Sequence, residues 1–231
     1  MTNQTLHDIL KTIKEKEVTN MKLKNISQTE LEGILDKHTK WLNYEAEGVR
    51  ADLQYTDLQG VNLRNVNLQH ANLQDADLWN VNLQGINLQY ADLQYANLRN
   101  ANFQGANLCG ADLWRVNLYG ADLQGANLEG ADLQYADLSG TDLQHAHLQE
   151  TDSRNANLSG ANLCGTDLQN SDLYGATLRG ANLSGADLSG ADLWRANLSD
   201  ADLSGTDLSG TDLSSTNLSG AKIDDTTILK G

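Results

Sequence analysis

Few residues in this chain have the types and spacing that chemistry demands. His145 and His147 are close, yet no acidic or thiol partner stands with them in a nucleophile pattern. The two cysteines, Cys109 and Cys164, match no metal-ligand spacing. Acidic residues abound, but never in the D-x-D-x-D-G order of a calcium loop. Glycines recur at a step of five, which suits turns rather than a phosphate cradle. These residues point away from an enzyme, and no catalytic residue, metal or cofactor is expected. The remaining candidates are columns of Asp, Tyr, Trp and Arg, whose meaning depends on the element that positions them.

That element has a period of five, which fits neither the 3.6 of a helix nor the 2 of a strand. From Leu53 to Ile228 every fifth residue is a centre, giving 36 units without insertion or deletion, and 32 of the centres are Leu. The others are Phe103, Ser153, Ile223 and Ile228. Two residues before each centre stands a small or β-branched residue, Ala in 22 units. Immediately before the centre is Asp in 17 units and Asn in 15. Two inward sites per unit, always small then large, require a backbone that turns once in five residues. Asn, Asp and Gly suit such turns, since Gly tolerates positive φ and Asx side chains bond nearby backbone.

The units "ADLQY", "ANLCG", "ADLSG" and "ANLSG" resemble the A(D/N)LXX consensus of the pentapeptide-repeat family. The resemblance implies a mainly β fold, a right-handed quadrilateral β-helix with four units per coil. It implies about nine coils stacked at roughly 4.8 Å, with Leu and Ala inward. Residues 51–231 form this solenoid, and Ser153 is expected as a core defect and Phe103 as a core residue. Residues 1–50 read as a helical N-terminal cap. "LHDILKTI" puts Leu6, Ile9, Leu10 and Ile13 on one face. A second helix starts at a capping box of Ser27 and Glu30, with Leu31, Leu35 and Trp41 packing on the first coil beside His38. The leader "ILDKHTKWLN" resembles segments that precede the repeats in other members.

On the four units per coil that the resemblance implies, residues 20 apart should share a face, and the four faces differ. One has Asp52, Asn72, Asp92, Asp112, Asp132, Asp152, Asp172, Asp192 and Asp212 before its centres, eight Asp in nine, against nine in the other 27 units. It also carries Tyr55, Tyr95, Trp114, Tyr135, Tyr174 and Trp194, six of the nine outward aromatics, with Arg115, Arg154 and Arg195. Stacked like charges oppose folding. Two readings of the face stand, a relic of internal duplication or a docking surface with aromatic anchors in an acidic field.

Net charge is −15, and residues 51–228 carry 23 acidic against seven basic side chains. That disfavours direct binding of nucleic acid and favours a protein partner with a basic surface. No apolar run reaches membrane-span length and the first residues lack a secretory pattern, so a cytoplasmic protein is expected. The C-terminal coil lacks a comparable cap, leaving Lys222 and Lys230 to blunt it or an end-to-end homodimer to cover it. The function expected is a non-enzymatic scaffold for protein–protein interaction. The alternative is a DNA-mimicking modulator of a DNA-binding protein, since some family members resemble duplex DNA and protect type II topoisomerases from quinolones.

Overall fold

Each unit has five backbone N–H groups, and their partners define the architecture. The computed structural model describes residues 23–229. The N–H of a centre donates to the following coil, as Leu53 does to the Asn72 carbonyl at 2.7 Å. The residue before the centre donates to the preceding coil, as Asn72 does to Ala51 at 3.0 Å. The second residue after the centre donates forward again, Tyr55 to Gln74 at 2.9 Å. The small residue closes a turn onto the previous centre, Ala71 to Leu68 at 3.0 Å. One donor is left, on the residue just after the centre, and no backbone oxygen reaches it. The Asp or Asn of the same unit takes it: Cys109 N–H donates to Asn107 Oδ1 and Trp114 N–H to Asp112 Oδ1, both at 3.1 Å. The Asx column is thus the acceptor that completes the backbone.

Parallel pairings link residues 20 apart, from Asp52 with Asn72 down to Asp202 with Lys222. Each side of a coil pairs through a single residue, so the solenoid is β in its hydrogen bonding yet has almost no extended strand. The leucine centres and their small partners form one continuous apolar interior. Phe103 is buried there as expected. Most Thr and Ser at small sites keep their hydroxyls bonded to centre carbonyls, as Thr166 Oγ1 does to Leu143 at 2.7 Å and Ser171 Oγ to Leu168 at 2.7 Å. Ser153 is buried at a centre, and its hydroxyl reaches only Thr151 Oγ1, at 3.3 Å.

Ahead of the coils, β1 (Lys24–Asn25) pairs in parallel with β2 (Thr56–Asp57) of the first coil. The sequence pattern held no sign of that strand, because two polar residues carry no alternation. It is followed by α1 (Gln28–Leu42), whose first turn has both capping-box bonds, Glu30 N–H to Ser27 Oγ at 3.2 Å and Ser27 N–H to Glu30 Oε2 at 2.9 Å. Leu31 is buried in the core, and Ile34 and Leu35 pack against it half-buried. His38 is also buried, accepting from the Ala51 N–H on Nδ1 at 3.0 Å and stacking on half-buried Trp41. Gly48 lies against the helix so closely that a Cβ there would meet Trp41 N at 2.4 Å. The expected helix through Leu6 and Ile13 lies outside the described residues.

The unbroken register fails at the last unit. Asp207 pairs with Ile228, 21 residues on, not with Thr227. The Asp224–Thr226 turn holds one extra residue. Thr227 therefore takes the small site, with Oγ1 on the Leu203 carbonyl at 2.7 Å, and Ile228 faces outward, 39 % exposed, rather than being a centre. Asp224 explains the slip, because Oδ1 accepts from Gly205 N–H at 3.2 Å and Thr226 N–H at 3.0 Å, and so replaces backbone pairing. Lys222 pairs with Asp202 at 3.0 Å, so its charge is spent along a side of the coil rather than over the end, while Lys230 lies outside the described residues.

Two outcomes follow from this packing. Ser153→Leu supplies a missing centre side chain, and burying a Leu contributes about 1.5–3 kcal/mol; a raised melting temperature is expected, and a lowered one would mean the site cannot take a centre. Burial holds the His38 imidazole below its ordinary value, so the folded chain takes up that proton less readily than the unfolded one. Docking of α1 is then strongest above about pH 6.5 and weakens as pH falls below it. Helix melting followed by circular dichroism at about pH 7.5 and about pH 5.5 should show the loss, and His38→Asn should remove it.

Candidate functional site

The repeat positions the expected surface column by column. The pairings run through Asp52, Asn72, Asp92, Asp112, Asp132, Asp152, Asp172 and Asp192 in one ladder, and Asp212 continues that column. The residue after each centre places Trp114, Arg154, Tyr174 and Trp194 beside it. The next residue, the corner of the turn, places Tyr55, Tyr95, Arg115, Tyr135 and Arg195.

The rings meet in two groups. Tyr95 and Trp114 are edge-to-face at 5.0 Å and Trp114 and Tyr135 at 6.5 Å. Arg115 lies over Trp114 at 4.7 Å and over Tyr135 at 5.4 Å. Farther along, Tyr174 and Trp194 are 5.1 Å apart, with Arg195 over Trp194 at 4.2 Å and within 3.4 Å of the Tyr174 hydroxyl. Between the groups Arg154 bridges the ladder, binding Asp152 through Nε at 2.8 Å and lying 3.5 Å from Asp172. Two open depressions flank this region. One of about 380 Å³ is lined by Tyr135, Arg154, Asp172 and Tyr174, and one of about 420 Å³ by Tyr174, Asp192, Trp194 and Asp212.

The corner position carries a cost that the sequence did not reveal. It has positive φ throughout the solenoid, and 17 of these corners are glycine. Among them Gly175 alone is on the acidic–aromatic face. Here stand instead Tyr55, Tyr95, Arg115, Tyr135 and Arg195, at φ between 53° and 60°. Bulky side chains in the left-handed region cost about 1–2 kcal/mol each. Elsewhere a corner side chain leans over the next coil, where glycine leaves room. The Tyr90 ring does so above Gly110, whose added Cβ would lie 2.4 Å from it. Tyr95, Arg115 and Tyr135 follow one another without that relief, and each of them meets Trp114.

The ladder is also costly. Burial, and next the carboxylates of neighbouring coils, raise the carboxyl groups of Asp92 and Asp132 above the usual range. Gln side chains offset part of this: Gln74 Nε2 donates to Asp92 Oδ2 and Gln94 Nε2 to Asp112 Oδ2, both at 2.6 Å. These glutamines were not foreseen as partners, although their place just after centres 73 and 93 is readable from the repeat. Such pairs are absent from Asp172, Asp192 and Asp212, where Arg154, Tyr174 and Trp194 occupy the Gln position.

Other candidates lie apart. His145 and His147 are both exposed. Cys109 and Cys164 are free thiols on different sides of the coil. Among the described residues no group of three His, Cys, Asp or Glu is placed to hold a metal ion, and no helix is long and apolar enough to cross a membrane. His38, Trp41, His70 and Tyr90 form a chain of ring contacts from α1 onto another face of the coils, at 5.6, 6.1 and 5.3 Å.

Comparison with known proteins gives a consistent picture. The family description Pentapeptide repeats matches in eight copies, in segments running from 49–85 to 191–228. The crystal structure of HetL, a pentapeptide repeat protein involved in heterocyst differentiation regulation from the cyanobacterium Nostoc sp. strain PCC 7120, is similar at 38% identity and a TM-score of 0.59, over 75% of this chain and 81% of HetL. QnrB1, a plasmid-mediated fluoroquinolone resistance protein, in a trypsin-treated variant form, is similar in fold at 22% identity and a TM-score of 0.54, over 76% of this chain and 90% of that one. Among the curated proteins none matches this sequence.

The raised Asp132 carboxyl has a definite sign. The folded chain binds that proton more readily than the unfolded one, so the ladder destabilises at neutral pH and its penalty fades as pH falls through the raised value. Asp132→Asn keeps the turn acceptor and removes the charge. It should raise stability at neutral pH by about 0.2–1 kcal/mol, the scale of cross-strand charge pairs. The gain should shrink on acidification into the carboxylate range, as read by melting temperature against pH.

Proposed function

This chain belongs to the pentapeptide-repeat family, a right-handed β-helix solenoid, and from that premise we propose that it is a non-enzymatic scaffold whose acidic–aromatic face docks a protein partner with a basic surface. One observation carries the reading: a single face bears both features that oppose folding, a ladder of carboxylates and bulky residues at left-handed corners. Asn would satisfy the same backbone donors, and Gly would fit the same corners without strain. Drift under selection for stability alone would replace both. Strain concentrated on one surface is a reason to infer a function there. That the similar HetL is involved in heterocyst differentiation regulation is in keeping with a binding role. We also read α1 as the cover of the first coil's edge, which keeps the rod single and its faces in register.

Mimicry of DNA is the competing reading. A duplex carries phosphates on two strands around its axis, about one charge per 1.7 Å. Here eight of the 17 repeat aspartates lie on one face of four. That asymmetry favours a docking surface, and the likeness to QnrB1 carries the fold alone.

The test sets stability against binding. Tyr135→Gly relieves a left-handed corner and should raise the melting temperature, while Trp114→Ala removes an anchor. The doubly substituted rod should lose most of its capture of basic proteins from native lysate. Full capture by a folded double variant would exclude this face as the docking surface. Inhibition of gyrase supercoiling by the intact chain, lost on neutralising aspartates of the other faces, would support mimicry instead.

A further inference from the structure

The acidic–aromatic face already holds cations of its own, and their positions show what the rings accept. Arg195 lies 4.2 Å over Trp194, with its guanidinium 3.4 Å from the Tyr174 hydroxyl. Arg115 lies 4.7 Å over Trp114 and 5.4 Å over Tyr135. Each pairing joins a Trp just after a centre to an Arg at the adjacent corner. Each Arg occupies a left-handed corner, at φ 55° for Arg115 and 60° for Arg195, where glycine would be relaxed. Arg154 differs. It is bound to Asp152 and close to Asp172, and touches no ring in that way.

We propose that Trp114–Tyr135 and Tyr174–Trp194 are two guanidinium seats, held at rest by the chain's own Arg115 and Arg195, and that the partner is an arginine-bearing segment whose side chains displace them. This rests on the docking reading above and specifies its chemistry. A planar guanidinium stacks on an aromatic face and bonds a hydroxyl or carboxylate at its edge, which an ammonium does not reproduce. Asp192 and Asp212, in the depression beside Trp194, supply the field that draws a second cation in. The exposed Arg195, on a strained corner, is the weaker competitor of the two, because leaving its seat costs one exposed cation–π contact and a long bond to the Tyr174 hydroxyl, whereas half-buried Arg115 touches two rings.

The spacing makes the partner specific. Trp114 and Trp194 are 80 residues apart, four periods of 20. At about 4.8 Å per coil the seats are roughly 19 Å apart along the axis. An extended segment spans that in about six residues at roughly 3.3 Å each. The segment expected therefore carries two arginines about six positions apart.

The experiment uses the intact chain and synthetic peptides of Gly and Ser with two arginines at that spacing, or two lysines, or one arginine, with binding read by fluorescence anisotropy. The two-arginine peptide should bind more tightly than either other. Arg195→Gly should tighten its binding about two- to fivefold, the worth of one exposed cation–π contact, and Trp194→Ala should abolish that gain. Arg195→Gly should also melt no lower than the parent chain, which separates displacement from damage to the fold. Binding of arginine and lysine peptides with equal affinity, unchanged by either substitution, would overturn the seats and leave a merely electrostatic docking face. Failure of every basic peptide to bind would overturn the seats and the docking reading together. Weaker binding by a well-folded Arg195→Gly chain would show that Arg195 is part of the binding surface, not its resident competitor.

Discussion

One backbone donor in five has no backbone acceptor, and the whole solenoid depends on how that deficit is met. In nearly every unit the N–H after the centre faces the Oδ1 of that unit's own Asp or Asn, as in Trp194 with Asp192 at 2.9 Å. Burying that donor unpaired would cost about 1–3 kcal/mol, repeated in every unit. A short side chain with an oxygen is therefore favoured there, and Asp or Asn stands in 32 of the 36 units. The two inward sites answer to volume, and this third site answers to hydrogen bonding.

The same constraint leaves a freedom. Asp and Asn both present an oxygen to the turn, so charge can vary without altering the backbone. Most of the solenoid mixes the two, and Asn side chains then donate to Asp of the coil before, as Asn97 does to Asp77 at 2.9 Å. On one face the mixture is nearly absent. Corner residues follow a parallel logic: glycine is relaxed there, yet that face places tyrosine and arginine. Charge repulsion and left-handed strain are tolerated together because the leucine interior holds the coils regardless. Stability made in the core is what permits a costly surface.

The ends show what happens when the repeat must stop. At the first coil, Lys24 donates to the Tyr55 carbonyl at 2.8 Å, and Leu31 enters the core from outside the repeat. In the last coil, an inserted residue lets the Asp224 side chain stand in for a backbone carbonyl as the acceptor of the Gly205 N–H. The first satisfies an edge carbonyl and the second an edge N–H with a local group, and neither uses the pentapeptide pattern.

Much of this was legible in the residues. The period of five, the inward Leu and Ala, the buried places of Phe103 and Ser153 and the Ser27–Glu30 box follow from spacing, because side-chain volume and polarity repeat with the geometry they serve; the shared face of Asp92 through Asp192 needed in addition the four units per coil that the family resemblance implies. Tertiary structure alone decided the rest. The strand at Lys24–Asn25 exists only because coil one offers an edge, and the slip that turns Ile228 outward exists only because Asp224 finds the Gly205 N–H. The left-handed corner under Tyr95, Arg115 and Tyr135, and the stacking of Arg195 on Trp194, depend on φ and on contacts between coils. A sequence states which residue stands at a position, but strain and pairing belong to the backbone that puts distant positions side by side.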